Sequence, residues 1–135
     1  MEKPGEEQVK NYLELVIKMI VAFIMGQTLF FKFSGAEESI YIFATIGIEP
    51  WGRYLTGMSE LIAIILLFYP KTVFYGAALT FGIMFGAILS HFLFLGIEIQ
   101  NDDGLLFGLA LTALVGSCFL LYKNWKKGPS FLPFN

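Results

Sequence analysis

Residues 73–97 read VFYGAALTFGIMFGAILSHFLFLGI, with His91 as the one strongly polar side chain among them. An α-helix rises about 1.5 Å per residue, so roughly 20 apolar residues cross a hydrocarbon layer of about 30 Å. This stretch is long enough, and it has no polar face to turn toward water. Working outward, residues 51–69 form a second apolar stretch, ended by Pro70, whose ring cannot continue a helix. Residues 105–122 carry no charge at all. A further stretch, 12–33, has an apolar centre from Met19 to Phe31 broken only by Gln27 and Thr28. The pattern predicts an all-α, integral membrane four-helix transmembrane bundle, a single domain over residues 1–135.

Composition points the same way. Hydrophobic residues make up 56% of the chain and charged residues 15%, against about 45–50% and about 25% in soluble domains. The surplus apolar surface needs lipid around it. A water-soluble helical bundle would need polar faces, which the third and fourth spans lack. The net charge of −2 excludes a broadly basic surface, so no nucleic acid partner is expected. One cysteine, Cys118, excludes an internal disulfide, a CxxC pair and a multi-cysteine zinc site; it reads as inert packing inside the fourth span. One histidine excludes a multi-histidine metal cage, and no metal is expected. A Glu-rich start, with no small-residue cleavage site after the first span, argues against a cleaved signal peptide.

Lysines set the orientation. Four spans put both termini on one side with Lys3, Lys10, Lys71, Lys123, Lys126 and Lys127, and with Lys18 close by. The other side has Lys32 and Arg53. Both termini are therefore expected in the cytoplasm, with the chain in the cell (cytoplasmic) membrane. Glu14 and Lys18, four apart in the favourable order, can neutralise each other where the first helix enters.

The connections differ. Pro70-Lys71-Thr72 is a tight hairpin that makes the second and third spans antiparallel neighbours. Glu98 to Gly104 joins the third span to the fourth, with Asn101 or Asp102 suited to cap it. In the loop between spans 1 and 2, Ser34-Gly35-Ala36-Glu37 fits a capping box, and Ile40, Phe43, Ala44 and Gly47 recur at helical spacing. A short amphipathic helix on the outer face is expected there. The tail from Gly128 to Asn135, with two prolines, is expected along the inner interface. Ala78, Gly82, Gly86 and Ser90 on the third span, and Gly104, Gly108, Thr112 and Gly116 on the fourth, form small-residue stripes. These stripes should pack the two spans against each other. The alternative is a homo-oligomer through Gly82/Gly86 or Gly104/Gly108.

Ionisable groups inside a span are costly and so are candidates for function. Glu60 lies seven residues below Arg53, roughly 10 Å along the helix. His91 lies near the outer end of the third span, and Gln27, Thr28 and Lys32 in the outer third of the first. All converge on the outer leaflet. Arg53, Thr56 and Glu60 share a face, as do Thr80, Ala87 and His91, the latter apart from the glycine stripe. The expected site is one polar pocket of Glu60, Arg53, His91, Lys32, Thr56 and Gln27, open toward Glu98, Asp102 and Asp103. Paired with Arg53, Lys32 or His91, Glu60 stays ionised; unpaired, desolvation would leave it protonated. A bound ligand or proton-coupled role is the reading preferred over a network that is structural and only fixes helix register.

These residues carry a resemblance. Lys32-Phe33-Ser34-Gly35, then Pro50-Trp51-Gly52-Arg53-Tyr54-Leu55-Thr56-Gly57-Met58-Ser59-Glu60-Leu61, Gly86-Ala87-Ile88-Leu89-Ser90-His91 and Asp103-Gly104 resemble the DoxX and DoxX-like family over about residues 15–125. The resemblance implies a four-helix membrane bundle. Some relatives are small subunits of thiosulfate:quinone oxidoreductases or partners in membrane oxidoreductase complexes; others are chaperones or cargo receptors without catalysis. It thus implies a quinone as candidate cofactor, and a membrane or periplasmic oxidoreductase as candidate partner. Arg53 or His91 would donate to a quinone oxygen and Glu60 would relay a proton. The disulfide chemistry of more distant relatives is not carried over, because the cysteine pairs are missing. The alternative is a non-catalytic membrane chaperone or assembly protein.

Overall fold

A computed structural model describes residues 4–132; Lys3 and the last three residues of the tail lie outside the described residues. Five α-helices form in order: α1 (Pro4–Ser34), α2 (Glu37–Ile46), α3 (Trp51–Leu67), α4 (Val73–Ser90) and α5 (Leu105–Lys123). A π-helical turn (His91–Leu95) continues α4, and a 3-10 turn (Trp125–Lys127) follows α5. Three helical stretches, Gly5–Ser34, Val73–Leu95 and Leu105–Lys123, are long and apolar enough to cross a membrane. Their outward faces stay greasy: Phe23, Phe30, Phe92 and Val115 are each more than 60% exposed, which water would not tolerate on this scale. Cys118 also lies on the exposed face of α5 and is not packed inside, because the helix presents Ser117 and Leu120 to the core instead.

The long helices pack α1 on α3, α3 on α4, α4 on α5 and α5 back on α1. Val21, Met25, Ala63, Leu67, Ala77 and Leu120 form the core between them. The first half of α1 and the end of α5 meet at one end of the molecule. There Glu14 of α1 binds Lys18 at 3.4 Å and Lys123 of α5 at 2.9 Å, and Asn124 Nδ2 donates to Glu14 Oε1 at 3.1 Å. Lys127 Nζ donates to the Pro70 carbonyl at 3.2 Å, and Trp125 stacks edge-on to Phe74. The opposite end carries α2 and the loop from Gly96 to Gly104.

Two expectations fail in instructive ways. The small-residue stripes do not pack α4 on α5: a Cβ on Gly82, Gly86 or Gly108 would meet nothing within 4 Å. The close approaches lie elsewhere. A Cβ on Gly76 would come within 2.7 Å of the Leu67 backbone nitrogen, and one on Gly116 within 2.7 Å of Val21 on α1. Spacing reveals a stripe but not which helix it faces, since each helix has two neighbours. Nor does Ser34 cap α2. It ends α1, its hydroxyl donating back to the Phe31 carbonyl at 3.3 Å, and α2 starts after Ala36 without a side-chain cap. The short helix itself stands where expected, closed by Gly47 at φ +95°, where its N–H reaches the Ala44 and Phe43 carbonyls.

Candidate functional site: a cavity beneath α2

Toward the α2 end the long helices leave a cavity of about 570 Å³, within the range of small-molecule sites. Ile24 and Phe31 of α1, Ile42 and Ile46 of α2, Leu55 of α3 and Leu109 of α5 give it apolar walls. Gly82 and Gly86 border it too, so the glycine stripe and the Ala87–His91 face meet at the same space and are not separate.

Glu60 is the polar anchor of this cavity. It is 2% exposed, on the face of α3 turned to α1. Thr28 and Lys32, one helical turn apart on α1, both reach it. Lys32 Nζ donates to Oε1 at 3.0 Å. The Thr28 hydroxyl lies 3.3 Å from the same oxygen and 3.0 Å from the Met25 carbonyl, so its single proton serves one or the other. Glu60 Oε2 is buried with no hydrogen-bond partner among the described residues. Of the partners foreseen for Glu60, the fold selects Lys32.

Arg53 departs from the expected pocket. It does not border the cavity. Its Nε donates to both Glu49 oxygens, at 2.9 and 3.0 Å, its Nη2 pairs with Glu49 Oε1 at 2.9 Å, and its Nη1 donates to the Lys32 carbonyl. The guanidinium carbon sits 4.5 Å from the centre of the Tyr54 ring. The reason is local: Glu49 stands four residues earlier, at the corner before α3, and a planar fork takes a carboxylate bidentately. Arg53 therefore clamps the end of α1 to the α2–α3 corner.

His91 opens the π turn and borders the cavity. Its Nδ1 is 2.7 Å from the Gly96 carbonyl oxygen, and the ring meets Phe107 edge-on at 5.3 Å. A carbonyl can only accept, so Nδ1 carries a proton; in the neutral ring Nε2 is then an acceptor. Gln27 and Thr56 also border the cavity, Gln27 as an exposed residue between half-buried neighbours on α1.

The expected acidic opening narrows to Asp102, joined by Glu38 of α2, which pattern reading did not single out. Asp102 Oδ1 accepts from Ile99 N at 2.9 Å and Gly104 N at 2.8 Å, and Oδ2 from Leu106 N at 3.0 Å. Burial opposes its charge, but these backbone donors and the nearby His91 outweigh it and hold its carboxyl below the usual range. Burial, with the Asp102 charge beside it, pushes Glu38 above the usual range. Glu98 and Asp103 stay outside the cavity; the Asp103 N–H donates to Glu98 Oε1 at 3.4 Å.

Reading the sequence also missed Glu49 and Ser59. Glu49 carried a usable signal, the i,i+4 spacing to Arg53. Ser59, which borders the cavity, had none, because a lone serine in a span fits any face. Compared with known protein families, with curated proteins and with solved structures, the chain matches none of them.

Proposed function

We propose that this chain is a DoxX-like, four-span protein of the cytoplasmic membrane whose cavity binds a lipophilic quinone, as an accessory or quinone-binding subunit of a membrane redox system. One observation carries this reading: an apolar cavity of about 570 Å³ bordered by Glu60, a buried carboxylate one of whose oxygens has no partner among the described residues. Apolar walls suit a ring and tail, and the polar end fixes a head group. Electrons would come from a membrane or periplasmic oxidoreductase partner.

On this reading α3 is the fourth span of a four-helix bundle. Its 17 residues cover about 26 Å, and its charges are both paired, Arg53 with Glu49 and Glu60 with Lys32. Those pairings also support cytoplasmic termini. Lys32 and Arg53 at the α2 end are tied to carboxylates, whereas Lys71, Lys126 and Lys127 gather at the other end.

The test is mass spectrometry of lipid extracts from gently purified protein and from a Gly86→Leu variant, whose new side chain enters open space. Near-stoichiometric quinone in the native chain, lost in the variant, is the expected result. Equal amounts in both, or none after quinone is added back, refutes the reading. The second reading is a non-catalytic assembly protein. It draws on the pairs that join α1 to α3 and its corner, whose arrangement suffices to fix helix register. A stoichiometric protein partner, purified with no quinone, would favour it.

A further inference from the structure

We infer that the cavity selects a lipophilic molecule whose head group donates hydrogen bonds, a quinol or other phenol, over one whose head offers carbonyl oxygens alone. This rests on the reading above that the cavity is a ligand site.

The argument is an inventory of protons and lone pairs. In its ionised form, the one that pairs with the Lys32 ammonium, Glu60 accepts at both oxygens. One is satisfied by Lys32. The other, Oε2, is buried and has no partner among the described residues. His91 spends its Nδ1 proton on the Gly96 carbonyl; Nε2 is a further acceptor in the neutral ring and a donor in the imidazolium. Ser59 and Ser90, both on the cavity wall, spend their protons on the Leu55 and Gly86 carbonyls, at 3.0 and 2.8 Å, and present lone pairs. Arg53, the strongest donor nearby, is consumed outside the cavity. Lys32 and Gln27 retain N–H groups, and Ser39 and Thr56 retain hydroxyl protons, so the wall is not without donors. The unmet demand is nevertheless one-sided. A buried charged acceptor without a partner is costly, and only a donor relieves it. A quinone carbonyl would face Oε2 with a second lone pair; a hydroxyl would face it with a proton.

The experiment compares three probes on the purified full-length protein in mild detergent: decylhydroquinone under anaerobic reducing conditions, the corresponding quinone, and the hydroquinone dimethyl ether. The hydroquinone is expected to bind at least about tenfold tighter than either of the others, the worth of one hydrogen bond to a charged acceptor. In Glu60→Gln the amide N–H replaces the unpartnered oxygen, so the hydroquinone loses its advantage and the quinone gains. Gly86→Leu, which fills the cavity, should block all three. The native comparison of hydroquinone with its ether needs no variant, so a poorly folding Glu60→Gln does not rescue the idea. Equal binding of the three probes, or a preference for the quinone, overturns the inference, the latter by placing a proton on Oε2. If Gly86→Leu still blocks them, the cavity reading survives that failure. No binding by any probe, or binding that Gly86→Leu leaves unchanged, overturns both.

Discussion

Lys32 and Glu60 are 13% and 2% exposed at the side chain, and each is the other's only ion-pair partner among the described residues. Removing one partner of a buried pair strands the other, at about 3–5 kcal/mol, whereas replacing both by apolar groups of similar volume is far milder. Lys32→Met should therefore cost several times more than the double variant Lys32→Met/Glu60→Met, as thermal unfolding of a double-mutant cycle would read out. At the α2 end, two carboxyls give opposite pH signatures. Asp102, held below its ordinary 3.8, contributes stability that is present above that value and lost as pH falls through its folded pKa. Glu38, raised from 4.5, binds its proton more tightly when folded, so stability falls as pH rises from about 4.5 through its folded pKa. Unfolding midpoints measured across that range should lose the second slope in Glu38→Gln and show a shallower one in Asp102→Asn, which removes the neighbouring charge but not the burial. The legibility of these residues follows from depth. Glu60 stood out because a short carboxylate far inside a span has nowhere to go. Arg53 misled because its partner, Glu49, sits in a corner that span-by-span reading treats as loop. Glu38 was invisible because its neighbour comes from the far end of the chain.

Helix positions read well from the sequence; helix faces did not. The predicted boundaries of α3 and α5 fall within two residues of those observed, since Pro70 and the charge-free run mark them. Hydropathy starts the first span at residue 12, yet α1 begins at Pro4, because a polar first turn with Glu6 and Glu7 is as helical as an apolar one. The apolar run carries the third span to residue 97, but the helix changes to π geometry at His91 and stops at Leu95. The glycines give the sharpest test of the faces. Gly76→Ala forces a methyl group against the α3 backbone and should cost about 1–3 kcal/mol. Gly82→Ala adds its methyl to open space inside a helix, where alanine outdoes glycine by about 0.5–1 kcal/mol. Melting temperatures should move in opposite directions for the two variants.

For the molecule as a whole, the four-span reading makes a sidedness prediction. In a Cys118→Ala background, cysteines placed at Thr45 on α2 and at Ser130 in the tail should react with a membrane-impermeant maleimide from opposite sides of sealed vesicles. Labelling from the same side would leave an even number of crossings between the two positions and remove α3 from the bilayer.

The π turn at His91–Leu95 holds one residue more than an α-helical turn of the same rise would need. Such a surplus can be lost in descent without disturbing the helix before it. A related chain with a single-residue gap between His91 and Gly96 would run straight through as α-helix with His91 still on the α4 face, and would turn everything after the gap by about 100° around the axis. The imidazole would then keep its place at the cavity but lose the Gly96 carbonyl that fixes its Nδ1 proton, so the gap would mark chains in which this histidine is free to change tautomer.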